Sequence, residues 1–183
     1  MDVRMNKKIS TKAMVQMALF AALLSVSAYI SIPLPLPGAP HITLQNFMIL
    51  LIALLFSPLE GLGIVLVWML LGAVGIPVFI GGKGGLSYLV ANPWAGYTIA
   101  FLPVVWLMAR FRGEAYKAWW YTVVALCGAL VIDGLGMLFL RFYPLSGYNW
   151  ALAFTGGFLA FLPLDLIKAV AAAQIAPLFR RIM

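Results

Sequence analysis

Residues 46–77, NFMILLIALLFSPLEGLGIVLVWMLLGAVGIP, decide the fold class of this chain. They form two apolar runs around the short segment Ser57-Pro58-Leu59-Glu60, and Glu60 is the one charged residue among them. A helix needs about 20 apolar residues to cross about 30 Å of hydrocarbon, and proline interrupts a helix interior. The pattern predicts two membrane-spanning helices, over residues 42–57 and 61–77, joined by a tight hairpin turn.

The composition of the whole chain agrees with a membrane location. Of the 183 residues, 64% are hydrophobic and 9% are charged, and the mean hydropathy is +1.05. Soluble domains are about 45–50% apolar and about 25% charged, so a soluble globule is excluded. Disorder needs low hydrophobicity, and a disulfide scaffold needs more than the single Cys127. The sequence therefore predicts an all-α integral membrane protein with no soluble catalytic domain.

The length allows about six spans in a single membrane domain, residues 1–183. Prolines and Gly-rich stretches separate the apolar runs, and residues 78–92 and 141–160 are predicted to be irregular. The N-terminal run has the outline of a secretory signal peptide, but its length and the spans that follow favour a retained membrane helix. The predicted spans are residues 13–32, 42–57, 61–77, 94–109, 118–140 and 161–178.

The basic residues predict the orientation of these spans. Six spans place both termini, the turn at residues 57–60 and the connection at residues 110–117 on one side of the membrane. Lys83 and Arg141 fall on the other side, and Lys168 lies inside a span. Cytoplasmic connections are enriched in Lys and Arg, so both termini are predicted to be cytoplasmic. The basic residues of that side are Arg4, Lys7, Lys8, Lys12, Arg110, Arg112, Lys117, Arg180 and Arg181.

Asp165 and Lys168 are ionisable residues inside the last predicted span, where they are costly and indicate function. Their spacing places them on one helix face, near the N-terminal end that favours anions. Lys168 could pair with a ligand carboxylate and Asp165 could accept N–H groups; alternatively, the pair only fixes helix packing. Asp133, in the fifth span, could pair with Lys168 or Arg141, or line a cavity.

The Gly-rich segment at residues 81–85 is predicted to face the outer side of the membrane. It contains Lys83, Gly84 and Gly85. Glycine lets backbone approach a ligand closely, and irregular backbone at membrane depth is tolerated where it lines a cavity. The segment could close an outward-facing pocket, or it could be a flexible surface loop.

Polar residues at the starts of two spans are further candidates. Gln45 and Asn46 open the second span, and their amides could bind a polar ligand or bond between helices. Asn92 and Tyr97 lie at the start of the fourth span and could be pocket walls or interfacial residues.

The first span carries a face of small residues, Ala18 and Ala22, that could pack internally or dock another membrane protein.

His41 has no partners at metal-ligand spacing, so no metal site is predicted. The sequence contains no HExxH, no Cys/His cluster and no nucleotide-binding motif, so an ATP-driven carrier of this size would need partner subunits to hydrolyse ATP. An intramembrane enzyme is disfavoured because no nucleophile and base can be assembled.

Several stretches resemble the motifs of one known family, in the same order along the chain. Together they cover nearly all of it, from about residue 13 to residue 175. This chain is identified by them as a member of the BioY family, the biotin-specific substrate-binding (S) components of energy-coupling factor (ECF) vitamin transporters. The stretches are residues 40–46 (P-x-x-x-L-Q-x), 71–79 (L-G-x-x-G-(L/I)-P-V-F), 81–85 (Gly-rich), 93–97 (P-(T/S)-G-G-Y) and 162–169 (P-x-D-x-x-K-A).

The resemblance implies a six-helix S-component fold with an outward-facing biotin pocket. It implies that Asp165 and Lys168 hydrogen-bond biotin, while the loop around Lys83 and the region of Tyr97 close over it. The face of Ala18 and Ala22 resembles the family's docking motif for the transmembrane coupling (T) component. That component would sit with two ATPase subunits, and the S component would topple in the membrane to release biotin inside.

The expected function is high-affinity biotin capture at a bacterial or archaeal cell membrane, with no catalysis by this chain, no cofactor and no nucleic acid. The alternatives are an S component for a different vitamin and a small non-catalytic membrane assembly protein. The expected substrate-binding residues are Asp165, Lys168, Lys83, Gly84, Gly85, Tyr97, Gln45 and Asn92.

Overall fold

The structure, a computed structural model, describes residues 10–32, 41–144 and 146–182. In these ranges the chain is mostly helical, with two short antiparallel strands, β1 (Ser31–Ile32) and β2 (Ile42–Thr43). A π-helical segment, Ala153–Leu159, precedes the last helix. The helices are α1 (Thr11–Ser27), α2 (Gln45–Leu55), α3 (Pro58–Ala73), α4 (Leu86–Val90), α5 (Ala95–Phe111), α6 (Ala118–Phe142), α7 (Trp150–Leu152) and α8 (Leu162–Ile182).

The predicted hairpin at residues 46–77 is confirmed as α2 and α3. Ser57 caps α3, since its hydroxyl accepts from the backbone N–H of Glu60 at 3.4 Å. The Glu60 carboxylate in turn accepts from the Ser57 N–H at 3.0 Å, and Pro58 occupies the first turn, where its missing N–H costs nothing. These local bonds end one helix and start the next within three residues.

Arg112, in the connection between α5 and α6, closes the C-terminal end of α2, next to this turn. Its buried guanidinium donates to the carbonyls of Leu55 and Phe56, at 3.4 and 3.0 Å, and to the Tyr121 hydroxyl at 3.1 Å. The last carbonyls of a helix have no partner within the helix, so a buried arginine there both satisfies them and places positive charge at the negative end of the helix dipole.

Helix α2 is the centre of the bundle. Every residue from Met48 to Leu55 is buried, and α2 packs against α1, α3, α5, α6 and α8. The surrounding helices instead expose large apolar side chains, among them Leu70 of α3, Trp106 of α5 and Leu130 of α6. An apolar exterior around an apolar core is the pattern of a helix bundle in lipid.

The region between α6 and α8 differs from the prediction of an irregular connection over residues 141–160. Helix α6 extends to Phe142, and helical structure resumes at Trp150, where the Asn149 side chain accepts from the N–H of Leu152 at 2.8 Å. The sequence signal was obscured because Gly156 and Gly157, poor helix formers, fall in this stretch.

Two helical stretches in the described part of the chain are long and apolar enough to cross a membrane: Ala118–Phe142 and the 33 residues Trp150–Ile182. Four shorter apolar helices, of 10–17 residues, correspond to the other predicted spans. The first of them ends at Ser27, ahead of the predicted residue 32, because the chain turns there into β1. Four residues used in the sequence predictions lie outside the described ranges: Arg4, Lys7, Lys8 and Pro40.

Candidate binding site

The start of α8 brings Asp165 and Lys168 together. The two side chains lie on one helix face, as their spacing predicts. Lys168 Nζ lies 2.6 Å from Asp165 Oδ1 and 2.8 Å from the carbonyl oxygen of Thr43, so it donates to both. Strand β2 thus supplies a second acceptor for the ammonium group. The Asp165 side chain is fully buried, whereas 15% of the Lys168 side chain is exposed. The charged end of Lys168 is therefore the part of the pair that a solute can reach.

Asn46 completes this polar cluster. Its Nδ2 donates to Asp165 Oδ2 at 2.5 Å, so both oxygens of Asp165 are engaged. The sequence predicts its neighbour Gln45 as a binding residue, but Gln45 turns away from the cluster and donates to the carbonyl of Val78 at 3.2 Å. Successive residues of a helix point about 100° apart, so only one of the two adjacent amides faces the cluster.

A cavity opens next to these polar groups. Its volume is about 20 Å³, enough for about one water molecule and far below that of an open ligand pocket. Its wall combines the polar cluster with aromatic and aliphatic side chains. The lining residues are His41, Ile42, Thr43, Asn46, Ile80, Trp94, Tyr97, Phe161, Asp165 and Lys168.

An aromatic cluster forms the apolar side of the cavity. The rings of Trp94 and Tyr97 stack at 5.8 Å between centroids, and Phe161 lies 5.5 Å from Tyr97. The Tyr97 hydroxyl donates to the carbonyl of Gly157 in the π-helical segment, a type of helix that recurs at functional sites. The ring also packs on Gly136 of α6, where an added Cβ would lie 2.3 Å from it. Tyr97 is therefore a fixed wall of the cavity rather than a movable cover.

Lys83, Gly84 and Gly85 do not line the cavity. The Lys83 side chain is exposed, and its carbonyl accepts from the N–H of Phe79 at 2.9 Å. Gly85 has φ +98°, a conformation that favours glycine, and its N–H donates to the carbonyl of Gly72 at 2.7 Å. The Gly-rich segment approaches the cavity through the preceding Ile80, so its glycines shape a tight loop beside the mouth.

Asn92 does not line the cavity but holds a segment that does. Its Oδ1 accepts from the backbone N–H of Trp94 at 3.1 Å, and this bond fixes the start of α5, from which Trp94 and Tyr97 project. The sequence analysis considered Trp94 as a possible pocket wall, but it did not include Phe161 or Ile80 among the binding residues. Apolar side chains of a membrane protein carry no sequence signal that separates a cavity wall from ordinary packing.

The small residues Ala18 and Ala22 lie exposed on α1, whereas Ala21 between them is buried. The same surface carries Leu19 and Val26, both more than half exposed. This face does not pack inside the described bundle.

Within residues 10–32, 41–144 and 146–182, no cluster of three or more potential metal ligands occurs.

Comparison with known proteins places this geometry in a family. Residues 5–183 match the sequence profile of the BioY family. The chain is 35% identical to the biotin transporter BioY of Thermotoga maritima over 165 residues, which cover 90% of this chain and 94% of that protein. It is 37% identical to a probable biotin transporter BioY of Pyrococcus horikoshii over 159 residues, covering 87% and 90% of the two chains.

The fold is similar to a solved structure of known type. The crystal structure of the S-component for biotin from an ECF-type ABC transporter superposes with a TM-score of 0.83. The two chains are 26% identical, and the match covers 97% of this chain and 95% of the other.

Proposed function

Because this chain belongs to the BioY family, we propose that it captures biotin from the outer side of a membrane and delivers it inward as the substrate-binding component of an ECF-type transporter. The family consists of membrane transport proteins and not of enzymes, and biotin is the cargo rather than a cofactor. The chain has the S-component fold.

The observation that carries the proposal is the chemistry of the cavity beside Asp165 and Lys168. Biotin has a ureido ring with two N–H donors and a carbonyl acceptor, an apolar sulfur-containing ring, and a chain that ends in a carboxylate. The cavity offers an acceptor in Asp165, donors in Lys168 and Asn46, and an apolar wall that includes Tyr97. Few convergent polar groups in a mainly apolar pocket are the usual arrangement for a small ligand.

Charge balance explains why this pair suits a binding site. A buried carboxylate and ammonium that satisfy each other contribute little to stability, because both lose hydration. Here Asp165 receives hydrogen bonds from two sides and Lys168 stays partly exposed. The pair is therefore preorganised, with Asp165 fixed and the ammonium available to a ligand.

Entry of a ligand requires the mouth to widen, because the part of the cavity that admits water is about 20 Å³. Ile80 lines the cavity from the turn that precedes α4 rather than from a long helix. We propose that the loop of Lys83, Gly84 and Gly85 moves with Ile80 when biotin enters. Gln45 and Asn92 contribute to the site indirectly. Gln45 donates to the carbonyl of Val78 and so holds the segment before Ile80, and Asn92 accepts from the N–H of Trp94 and so holds the start of α5.

The likeness to the S-component of an ECF-type ABC transporter supports partners of the same kind for this chain. We propose that the exposed face of Ala18 and Ala22 docks on a transmembrane coupling protein, since small side chains let helices approach closely. Two ATPase subunits would supply the energy. The proposed location is a bacterial or archaeal cell membrane, crossed six times, with both termini in the cytoplasm, as the distribution of Lys and Arg predicts.

Titration of the purified chain with biotin, followed by calorimetry in detergent, tests the proposal. Lys168→Met keeps most of the side-chain volume and removes the charge. It leaves the buried Asp165 without its cation, so the thermal unfolding midpoint should fall, and we expect at least about a tenfold loss of affinity in the protein that stays folded. Lys117→Met, on an exposed connection, is the matched control and should bind as the parent does.

Three outcomes separate the alternatives. If the parent folds and binds a different vitamin but not biotin, the assignment of biotin is wrong. If Lys168→Met binds biotin normally but unfolds at a much lower temperature, the Asp165–Lys168 pair serves only packing. If neither variant differs from the parent, the site lies elsewhere in the chain.

A further inference from the structure

His41 is a titratable residue of the cavity wall that the proposed binding contacts do not use. It lines the cavity and is itself exposed, so it belongs to the mouth rather than to the floor. Thr43, whose carbonyl accepts from Lys168, lies two residues later. Two residues of chain span at most about 7 Å. His41 therefore lies within reach of a small solute that also contacts Lys168.

A hydroxyl group on β1 orients the imidazole ring of His41. Ser31 Oγ lies 3.1 Å from His41 Nδ1, and Ser31 is paired with Thr43 between the two strands. A hydroxyl group can donate or accept, so this hydrogen bond can persist whether the ring is neutral or carries a second proton. Nε2 is thus the ring atom that a ligand can use, and in the protonated ring it is a donor.

The charges at the floor of the cavity are balanced before a ligand enters. Asp165 and Lys168 form an ion pair, so their charges cancel. Lys168 Nζ has three N–H groups and uses two of them, which leaves one for a neutral acceptor such as a ureido carbonyl. A ligand carboxylate brings a further negative charge, and an uncompensated charge in a mainly apolar site is costly. Among the described lining residues, His41 is the remaining side chain that can become cationic near neutral pH.

We propose that His41, in its protonated form, binds the carboxylate of the ligand and so determines specificity for an acid. The polar ring of the ligand contacts Asp165 and Lys168, and the acid end of its chain lies at the mouth against His41 Nε2. A proton from the solvent enters His41 together with the ligand, so the net charge of the occupied site stays at zero. That the ligand is biotin rests on the proposed function.

A dependence of affinity on pH follows from this contact. In mildly acidic solution His41 already carries its proton when biotin arrives, whereas in alkaline solution binding must take up a proton or proceed without the charge. The carboxylate of biotin stays ionised above about pH 6, so the ligand does not cause the change. Biotin affinity should therefore fall by about fivefold between about pH 6 and about pH 8.5. Biotinamide, in which a neutral amide replaces the acid group, should change by less than about twofold.

Other titratable groups lie near the cavity and must be separated from His41. Strand β1 and helix α2 contain none. Titration of a group on another element would alter the binding of biotin and biotinamide alike, or would persist after His41 is replaced. These groups are Asp165 and Lys168 of α8 and Tyr97 of α5, which line the cavity, Lys83, which is exposed on the neighbouring loop, and Asp133 of α6, which is fully buried and does not line the cavity.

His41→Gln and His41→Lys separate the charge from the rest of the side chain. Glutamine can donate but stays neutral, so we expect His41→Gln to bind biotin about fivefold more weakly than the parent at about pH 6 and as well as the parent at about pH 8.5. Lysine keeps its charge across this range, so His41→Lys should bind biotin with an affinity that changes by less than about twofold. Both variants should bind biotinamide as the parent does, and both should keep its unfolding midpoint because residue 41 is exposed.

Calorimetric titration with biotin and biotinamide across this pH range measures the affinities, and repetition in two buffers of different ionisation enthalpy counts the protons taken up. Proton uptake with biotin by the parent, absent with biotinamide and absent in His41→Gln, supports the proposal. A His41→Gln variant that keeps the pH dependence or the proton uptake of the parent overturns it. A parent that binds biotin without any pH dependence overturns it too and leaves the proposed function standing. A folded parent that binds neither compound refutes the proposed function, and this inference with it.

Discussion

Replacing Gly136 by alanine tests whether the position of the Tyr97 ring controls the binding cavity. An added Cβ at this site would lie 2.3 Å from two atoms of the ring. Carbon atoms pack at about 3.5–4.0 Å, so the ring would have to retreat by more than about 1 Å. It cannot do so freely, because its hydroxyl is bonded to Gly157 and its faces pack on Trp94 and Phe161.

The size of the effect can be worked from these contacts. Overpacking of a well-filled core costs about 1–3 kcal/mol, and losing the bond to Gly157 adds about 0.5–1.5 kcal/mol. Alanine returns about 0.5–1 kcal/mol, since it is a better helix former than glycine. We therefore expect Gly136→Ala to lower the free energy of unfolding by about 1–3 kcal/mol and to weaken biotin binding by at least about fivefold, because a wall of the cavity has moved.

Gly134→Ala is the matched control on the same helix. No atom lies within 4 Å of the Cβ that it would add, so it should leave binding unchanged and stabilise the fold by up to about 1 kcal/mol. Thermal unfolding and biotin titration in the same detergent measure both variants. A double mutant with Tyr97→Ala completes the test: once the ring is absent, Gly136→Ala should cost little.

Equal behaviour of the two alanine variants would refute the reasoning, since it would mean that the Tyr97 ring moves without cost or does not shape the site. Additive effects of Gly136→Ala and Tyr97→Ala would lead to the same conclusion, because residues in contact should be energetically coupled.

Two further predictions concern Arg112 and Asn46. Arg112→Ala leaves the carbonyls at the C-terminal end of α2 without donors, so we expect the free energy of unfolding to fall by about 2–4 kcal/mol. Biotin affinity in the folded fraction should stay unchanged. Unfolding and biotin titration measure the two quantities, and a loss of affinity without a loss of stability would contradict this prediction. Asn46→Ala removes the donor to Asp165 Oδ2, so we expect about a tenfold loss of biotin affinity by calorimetry. Asn46→Asp should bind biotin more weakly still, because it adds a negative charge beside Asp165. Normal binding by either variant would exclude Asn46 from the site.

The features that the sequence predicted correctly depend on short-range chemistry. The hairpin at residues 57–60 needs only a capping serine, a proline and a glutamate, and all three are adjacent in the chain. That Asp165 and Lys168 lie on one helix face follows from helix periodicity alone. Such signals do not require knowledge of which helices are neighbours.

The features that the sequence did not predict depend on the packing of distant segments. Whether Asn46 or Gln45 faces Asp165 is decided by the rotation of α2 against α8. The full burial of Asp133 depends on how α6 packs against the neighbouring helices. Arg112 was counted only as a cytoplasmic charge, because its bonds to α2 join residues more than 50 positions apart. Single-sequence patterns carry no information on these relations.

The unequal lengths of the helices have a consequence for the surrounding bilayer. Helices α1, α3 and α5 contain 16 or 17 residues, about 25 Å, whereas α6 contains 25 residues, about 37 Å. A hydrocarbon layer about 30 Å thick cannot match both, and each ångström of mismatch costs a fraction of a kcal/mol. Helix α2, with 11 residues, escapes this constraint because protein surrounds it. In a bilayer crossed by both helices, the lipid beside α3 would thin and α6 would tilt or thicken the lipid beside it, so different sides of the protein would favour different acyl-chain lengths.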